Sequence, residues 1–468
     1  MPTEKHTLKK LKRLGIALLL PLLLTSTTEC VAARSEPKKL VVLTTGPETT
    51  ELLRQIGEPL AQAADLPPKE IHFHVILNNA LNAFALLNQH IVFNSGLLLA
   101  IQNRDELAGV MAHEIGHLKA GHHLQLESLS KKLSLQTLIT TAAGILAGFA
   151  SGKSQVAQAV VTGGAASSQA TLLESIRRKE AQSDRIAITL LSKAGFNPDG
   201  LAGFMSRLVR QQQIATLPAP YLMSHPVTTE RLMDTRRMAQ EEPVTTPRRS
   251  DKEDNQLLAR SQALLEAETS ESPDETARLF SNRLKLDPGN LALNQGLAEC
   301  LRSAGRLPEA ETLMNSLIKS KNSDPYLLRN RGLVRIEMGK YQEAEQDLRD
   351  ALVLLPDNAD IQFHQAFALK ELKKPQDASR ILRQLIAQNP NEPRYFYLLG
   401  IAEGQRKGHE GEGHLAMGRY YALIQQKKNA LWHFQEAMRL LPTKAPEREI
   451  AQTEWKQAQE IMEPEVRE

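Results

Sequence analysis

A period of 34 residues in the second half of the chain restricts its fold more than any other feature of the sequence. Small residues and prolines recur at this interval: Gly332, Ala366 and Gly400; Ala344 and Ala378; Pro356 and Pro390. A small residue in a first helix, an alanine in a second helix and a proline after it are typical of repeated helix pairs. Each pair buries its apolar face only against its neighbours, so several pairs stack into a solenoid with a concave surface for peptides or partner proteins.

This is the tetratricopeptide pattern, and we assign it to residues 256–468. Residues 332–356 form the clearest copy, and residues 296–318 form another. The alternative is a set of generic helix pairs without a shared groove. One interval is longer than the others and contains HEGEGH, residues 409–414. Its histidines are five apart and its glycines disfavour a helix, so we interpret it as a loop.

The first half mixes strands with helices. Residues 71–77 alternate as a strand does, and residues 82–96 read as two short strands around a turn. An apolar helix is predicted from Leu97 to Lys119, with Gly121 as its stop, and another over about residues 172–194. The sequence therefore predicts a mainly α protein in four parts: a signal peptide at 1–33, a helical domain with a small β-sheet at 34–240, a polar linker at 241–255 and an all-α repeat domain at 256–468.

The first 33 residues have the pattern of an export signal. A basic start is followed by the short apolar run IALLLPLLL, which is too short to span a bilayer comfortably. Small residues precede a cleavage site after Ala33, which places the mature chain outside the cytoplasm, most simply in a bacterial periplasm. An uncleaved anchor and lipidation at Cys30 are the alternatives, although Thr28 and Glu29 are poor residues to precede a lipidated cysteine.

Charge and composition exclude several classes of protein. The net charge of +3 comes from the first 33 residues, so the remainder is neutral, and aromatic residues are only 4%. Both observations disfavour a nucleic-acid-binding protein. The two cysteines exclude a disulfide-rich scaffold and a cysteine-rich zinc finger.

The motif HEIGH at residues 113–117 points to metal chemistry. His113 and His117 are four residues apart in a predicted helix, so both imidazoles lie on one face and can reach one ion. Glu114 is placed to contact a water on that ion as a general base. The alternative is an amphipathic helix whose polar face happens to carry these residues. The motif predicts one zinc ion per chain and hydrolytic chemistry.

A catalytic zinc needs a third protein ligand, and the sequence offers Glu127, Glu174 and Glu180. We choose Glu180, because Asp184 lies four residues further along the same predicted helix. Glu180 would bind the ion, while Asp184 would hydrogen-bond a ligand histidine and fix its tautomer. The alternative for Glu180 and Asp184 is a solvated acidic face paired with Arg177 or Arg185.

The HEIGHLKAGH motif, the later ExxxDR, and the upstream NAFAL and FNSGLL resemble the HtpX- and CAAX-prenyl-protease-type zinc metallopeptidases. The resemblance covers about residues 50–237. With an export signal and tetratricopeptide repeats, the whole chain is similar to the BepA-like group of periplasmic metallopeptidases. That resemblance implies a zincin-like peptidase domain followed by the repeat solenoid.

The resemblance also implies roles for individual residues. His113, His117 and Glu180 would bind zinc, with Glu114 as the base and Asp184 beside the ligands. His122 matches a histidine that would support the site without binding the ion. Ser224-His225-Pro226 and Arg231 match the family's SHP…R segment, which implies that His225 occupies the fourth zinc position as a gate and that Arg231 contacts the transition state. Without the resemblance, His225 would be read as a surface residue before proline.

Two departures from the family pattern accompany the match. Leu87-Asn88-Gln89 replaces the usual Pro-Gly-Gly, and Ser183 replaces the usual alanine. Neither position is a predicted ligand. His72 and His74 share one face of a strand but lack a further nearby ligand in the sequence, so we interpret that strand as a surface strand.

The function implied is that of a periplasmic zinc endopeptidase in quality control and assembly of outer-membrane β-barrel proteins, with chaperone-like help to some of them. Its partners would be unfolded or stalled outer-membrane proteins and, through the repeats, the barrel-assembly machinery. The alternatives are a non-proteolytic repeat scaffold or holdase with a plugged peptidase domain, and a processing enzyme with a single cleavage site. Residues 131–170 are largely uncharged and could contact a membrane surface or a hydrophobic client, or form a buried helical hairpin.

Overall fold

The computed structural model describes residues 43–44, 46–86, 89–122, 168–212, 221–222, 225–243, 245–247, 252–320 and 324–460. The predicted signal peptide with Cys30, the candidate Glu127 and most of the uncharged segment 131–170 lie outside these residues. Within the described ranges, no helix combines the length and the apolar character needed to cross a membrane.

A small sheet carries the first half of the chain. Its strands are β1 (Leu43–Thr44), β2 (His72–Ile76), β3 (Ala83–Ala85) and β4 (His90–Asn94), in the spatial order β1-β2-β4-β3. β2 runs parallel to β4, and the other two pairings are antiparallel. The predicted strands and the predicted hairpin are confirmed, and the sheet leaves β3 at its edge.

The helices of the first half are α1 (Pro47–Ala63), α2 (Ser95–Ala100), α3 (Arg104–Lys119), α4 (Ser168–Ala194), α5 (Gly200–Gln212) and α6 (Thr229–Glu241). The prediction of one continuous helix from Leu97 to Lys119 is wrong, because a new helix begins after Asn103. The Asn103 side chain accepts a hydrogen bond from the Glu106 backbone N–H, and the Glu106 carboxylate accepts one from the Gln102 N–H. These reciprocal contacts start α3 as a capping box does. Gly121 follows its end with φ +70°, as predicted.

Helix α3 runs through the centre of the first hydrophobic core. Leu107, Met111 and Ile115 are buried against residues from α1, the sheet, α4 and α5. Two glycines let neighbouring backbones approach α3 closely. A Cβ at Gly109 would lie 2.5 Å from the Leu201 backbone nitrogen, and one at Gly116 would lie 2.9 Å from the Ser183 carbonyl oxygen. The Gly116 contact brings α4 against the HExxH face.

The second half is a run of antiparallel helices. They are α7 (Lys252–Glu268), α8 (Pro273–Leu284), α9 (Leu291–Ser303), α10 (Leu307–Ser320), α11 (Pro325–Glu337), α12 (Tyr341–Leu354), α13 (Ala359–Glu371), α14 (Pro375–Gln388), α15 (Pro393–Gly404), α16 (Glu410–Leu423), α17 (Lys427–Leu440) and α18 (Pro446–Glu460). The periodic small residues Ala344 and Ala378 are fully buried between successive helices. The predicted fold class, a helical domain with a small sheet followed by an all-α repeat solenoid, is confirmed.

The interpretation of HEGEGH as a loop is wrong, since α16 begins at Glu410. The helix forms because its glycines lie at tight packing contacts. A Cβ at Gly411 would lie 2.7 Å from Leu441 Cγ, and one at Gly413 would lie 3.0 Å from the Gly400 carbonyl oxygen. Tertiary packing therefore outweighs the low helix propensity of glycine here.

Helix α7 joins the two halves. It begins inside the predicted linker, and Leu258 and Leu265 belong to the same hydrophobic cluster as the α3 core. The Gln262 amide donates to two backbone carbonyls of the first half, those of Leu98 at 2.9 Å and Ile101 at 2.7 Å. The repeats are thus packed directly against the first domain.

A group of buried polar residues, here called the junction cluster, lies beside α7. It consists of Glu48, Arg260, Gln295, Asp324 and Asn330. The fully buried Glu48 Oε1 accepts from the Gln295 amide at 3.1 Å and from the Asn330 amide at 3.3 Å. Arg260 makes two hydrogen bonds to Asp324, at 2.7 and 3.0 Å, and lies 3.7 Å from Glu48. The cluster connects the first turn of α1 to the repeat helices α9 and α11.

Candidate metal centre

Helix α3 presents the two motif histidines one turn apart. The Nε2 atoms of His113 and His117 are 3.0 Å apart, and both residues are buried. Imidazole nitrogens at this distance repel each other unless a proton or a cation lies between them. The face that these nitrogens share is therefore suited to a positive charge.

Helix α4 supplies a carboxylate to the same face. Glu180 Oε1 lies 3.2 Å from His117 Nε2, and Oε2 lies 3.3 Å from His113 Nε2. Glu180 is only 4% exposed, which excludes the alternative of a solvated acidic face. Glu174, another candidate third ligand, is exposed on the same helix, with 69% of its side chain accessible.

Asp184 lies one turn further along α4, behind His113. Its Oδ1 is 2.8 Å from His113 Nδ1, the nitrogen that points away from the shared face. A proton on Nδ1 is therefore stabilised, which leaves the lone pair of Nε2 directed at the face. Arg231 of α6 holds this carboxylate with two hydrogen bonds, from Nε at 2.6 Å and from Nη2 at 2.7 Å.

His225 completes the cluster from the opposite side. Its Nδ1 lies 3.2 Å from His113 Nε2 and 3.1 Å from Glu180 Oε2. The ring stacks on Tyr221 with centroids 4.7 Å apart, and its backbone N–H donates to the Tyr221 carbonyl. Tyr221 is buried, and no pattern in the sequence marked it as part of the site.

The donor atoms fit a tetrahedral zinc ion. Ligand atoms around such an ion, with bonds of about 2.0–2.1 Å, lie about 3.3 Å from one another. In the structure, the close nitrogen–nitrogen and nitrogen–oxygen distances within the set are 3.0–3.3 Å. Among the described residues, one group of three or more histidine, cysteine or acidic side chains brings its ligand atoms together in this way. Its members are His113, His117, Glu180 and His225. Three imidazoles and one carboxylate form a donor set typical of zinc.

Glu114 lies beside the converging atoms rather than among them. The residue is 1% exposed, and its Oε1 has no hydrogen-bond partner among the described residues. The same oxygen is 3.6 Å from His225 Nε2. A buried carboxylate oxygen of this kind is suited to accept a hydrogen bond from a water at the centre.

The pKa values of the cluster follow from its charges. Burial lowers the pKa of His113, but the Asp184 and Glu180 carboxylates outweigh this effect and raise it to about 10. Burial raises the pKa of both carboxyl groups, but nearby positive groups outweigh it. The neighbouring histidines bring the pKa of Glu180 below its usual value, and Arg231 does the same for Asp184. Burial lowers the pKa of His117. The two carboxylates are therefore anionic at neutral pH. They hold a second proton on His113 when no ion is present, and a cation bound at the shared face would displace that proton.

His122 stands apart from this set. Its ring centroid is 5.6 Å from that of His117, and its Nδ1 is 3.5 Å from the Ser183 hydroxyl. Arg231 lies inside the site, with its Nη1 2.9 Å from Glu180 Oε2 and donating at 2.9 Å to the Pro226 carbonyl. The structure thus places Arg231 behind the converging atoms and His122 beside them.

Comparison with known proteins divides the chain in the predicted order. Residues 47–239 match the model of peptidase family M48, and residues 269–329 and 335–401 match a tetratricopeptide repeat model. The beta-barrel assembly-enhancing protease of Yersinia pestis is 26% identical over 359 residues, which are 76% of this chain and 72% of that protein. The protein of the same name from Escherichia coli K12 is 26% identical over 389 residues, 80% of this chain and 77% of its own. Among solved structures, the crystal structure of MamA shares 18% identity and covers 35% of this chain and 96% of its own, with a TM-score of 0.31.

Proposed function

We propose that this chain is a zinc-dependent endopeptidase with His113, His117 and Glu180 as its metal ligands, because residues 47–239 match the model of peptidase family M48 and the helical repeats follow them. The observation that supports this proposal is the convergence of these donor atoms at tetrahedral spacing within a buried site. The unpartnered oxygen of Glu114 beside them supports hydrolysis rather than a purely structural ion.

The residues of the site have different roles in the proposed peptide hydrolysis. Bound zinc would supply Lewis-acid chemistry, by polarising a water and the scissile carbonyl. Glu114 accepts the proton of the attacking water and delivers it to the leaving amine. Asp184 holds the His113 proton on Nδ1 and so keeps the ring oriented towards the shared face.

Arg231 has a positioning role in the resting geometry. Its guanidinium binds Asp184 through two hydrogen bonds and binds the Pro226 carbonyl, next to the gate residue His225, through a third. It therefore couples the orientation of His113 to the position of the segment that carries His225. Its contact with the transition state, implied by the family resemblance, stays a prediction.

His225 acts as a gate in this proposal. Its Nδ1 occupies the fourth corner of the ligand set, where a water and a substrate carbonyl would otherwise bind. Tyr221 holds this segment in place, since it stacks on the His225 ring and its backbone N–H donates to the Leu81 carbonyl at 2.9 Å. Activity then requires movement of the segment that carries Tyr221 and His225.

The edge strand β3 is the proposed substrate platform. β3 pairs with β4 on one side, and no strand among the described residues pairs with its other side. An extended peptide can add to such an edge through backbone hydrogen bonds near Asn82–Phe84. The Tyr221 contact to Leu81 lies at the start of this strand, so the gate segment lies near both the proposed zinc position and the proposed substrate edge.

The substrates we propose are unfolded or stalled outer-membrane β-barrel proteins, met in the periplasm. The similarity to proteins named beta-barrel assembly-enhancing protease supports this choice, and the repeats provide a surface that could recruit the barrel-assembly machinery. Chaperone-like help to some clients belongs to the same proposal. The predicted signal peptide supports the location.

The test uses the chain from residue 34 to 468 with an unfolded outer-membrane barrel protein as substrate. Bound zinc and cleavage are measured for the wild type, Glu114→Gln, His225→Ala and the control Glu174→Gln, at an exposed position. We expect about one zinc at this centre in every variant. Cleavage should be lost in Glu114→Gln, higher in His225→Ala and unchanged in Glu174→Gln.

Other results would change the proposal in distinct ways. If no variant cleaves but all bind zinc and prevent client aggregation, the protein is a holdase with a plugged peptidase domain. If one peptide bond alone is cut, it is a processing enzyme. Wild-type protein without zinc at this centre would contradict the ligand assignment.

A further inference from the structure

A second group of histidines lies on the sheet, away from the HExxH face. β2 and β4 are adjacent and parallel, with His72 directly opposite His90. Side chains alternate along a strand, and Phe73 and Phe93 point into the core. His72, His74 and His90 therefore share the opposite face of the sheet.

The three imidazoles are in contact with one another through His90. Its ring centroid is 4.9 Å from that of His72 and 5.1 Å from that of His74. His90 Nδ1 lies 3.0 Å from His74 Nε2, which is close to the spacing of two ligands on one ion. The neighbouring strand supplies the ligand that the sequence lacked near His72 and His74. The nitrogens of the three rings do not all converge as those of the candidate metal centre do, so the exposed His72 ring has to turn before all three can bind one ion.

These imidazoles are neutral at neutral pH, as metal ligands must be. Burial and the neighbouring histidines lower the pKa of His74 to about 3 and that of His90 to about 4. Burial also lowers the pKa of His72, against the opposing effect of Glu70. His72 is exposed and the other two are half-buried, so an ion can reach the group from solvent.

We propose that His72, His74 and His90 form a second metal site, which takes a divalent transition cation such as Zn²⁺. Imidazole is a preferred ligand of such cations, and three histidines with an open position are an established zinc-binding set. The ion would join β2 to β4, next to the edge strand β3. The site shares no residue with the candidate metal centre, so it can be tested separately from peptidase activity.

The repeats provide a matched control for the number of imidazoles needed. His414 and His433 approach each other on α16 and α17, with their Nδ1 atoms 3.1 Å apart. This pair has the close nitrogen–nitrogen contact of the strand site, but among the described residues no third histidine ring contacts either of its rings. If three imidazoles are required, loss of His433 will leave the bound metal unchanged.

The experiment counts zinc in the chain from residue 34 to 468. Metal-free protein is dialysed against buffered micromolar Zn²⁺, and zinc per chain is measured by mass spectrometry. We expect about two zinc ions in the wild type and about one in His72→Asn and in His90→Asn. His433→Asn should retain both, and His117→Ala, which changes the other centre, should keep the strand zinc.

His72 is the decisive position, because an exposed side chain can be replaced without disturbing the core if His90→Asn fails to fold. A wild type that loses no zinc when His72 or His90 is replaced would overturn the proposal. So would loss of one ion in His433→Asn. If the wild type holds one ion that His117→Ala retains and His72→Asn loses, the strand site is supported and the proposed peptidase centre is the part that fails.

Discussion

Two of the protein's buried carboxylates, Glu180 and Glu48, differ in their partners. At the candidate metal centre, Glu180 faces the three imidazoles of His113, His117 and His225, and the Arg231 guanidinium lies 2.9 Å from its Oε2. At the junction cluster, Glu48 faces a guanidinium and two side-chain amides. Both carboxylates are almost completely excluded from solvent.

The difference shows that the partners of a buried charge, rather than its burial, indicate its role. Each carboxylate has an arginine beside it, and arginine offers only donors, so the difference between the two sites lies in the other partners. Imidazole offers a lone pair as well as a donor, so the atoms around Glu180 leave several acceptors directed at one point. The junction cluster should therefore govern stability, and the metal centre should govern zinc binding and activity.

Glu180→Gln should produce the largest effect on function. The substitution keeps the shape of the side chain but removes a charged ligand. Loss of a residue that only supports a ligand lowers metal affinity or activity by about 10- to 100-fold, so zinc affinity and the cleavage rate should fall by more than this in Glu180→Gln. Zinc titration and cleavage assays measure both. Glu174→Gln is the control, because Glu174 is exposed on the same helix and should change neither. Zinc affinity equal to that of the wild type in Glu180→Gln would contradict the assignment.

Arg260→Met should produce the largest effect on stability. It leaves Glu48 buried without its positive partner, so the free energy of unfolding should fall by about 3–5 kcal/mol. Zinc per folded chain and cleavage per folded chain should not change. The control is Arg54→Met, whose partners Glu51 and Glu58 lie at the surface, and its cost should be at most about 1 kcal/mol. Urea unfolding separates the two variants, and equal costs would show that burial of the pair is unimportant.

Local rules anticipated much of the metal centre. The spacing of His113 and His117 placed them on one helical face, and the spacing of Glu180 and Asp184 did the same on α4. The break before α3 could also have been found, since Asn103 and Glu106 have the spacing of a capping box. Such signals act over one or two helical turns, so a single sequence carries them.

Contacts between distant segments were not visible in the pattern. Tyr221 stacks on His225 because the chain returns to the site long after the HExxH motif, and nothing in its own surroundings indicates that contact. His90 meets His74 through the parallel register of two strands, which the sequence does not specify. The helix at Glu410 likewise depends on close packing of Gly411 and Gly413, which helix propensity alone opposes.

Asp184→Asn should have a smaller effect than loss of Glu180, because Asp184 acts through His113. Asparagine keeps a hydrogen-bonding group near His113 Nδ1 but removes the charge that stabilises its proton and neutralises Arg231. Zinc affinity should fall by about 10- to 100-fold. The neighbouring Ser183→Ala, which introduces the residue usual in the family, should leave zinc affinity unchanged. A loss as large in Ser183→Ala would mean that packing of α4 against α3, rather than the charge of Asp184, sets the affinity.

The strand histidines provide an expected effect of pH on stability, with the opposite sign from that at the metal centre. His113 has carboxylates beside it, and its pKa is raised to about 10, whereas burial lowers the pKa of His74 to about 3 and of His90 to about 4. In the unfolded chain a histidine titrates near pH 6.5, so below that pH the unfolded state binds more protons than the folded state does.

In the presence of a chelator, the contribution of His74 and His90 to stability should therefore be complete above about pH 6.5 and fall as the pH decreases towards about 4. Urea unfolding of the wild type and of His74→Asn/His90→Asn at about pH 7 and about pH 5 measures this change, which should be smaller in the double variant. Zinc competes with protons for the same nitrogens, so adding it should reduce the loss in the wild type alone. The free energy of unfolding could instead decrease by the same amount in the double variant as in the wild type. The two imidazoles would then be no harder to protonate in the folded sheet than in the unfolded chain, and the acid sensitivity would come from other residues.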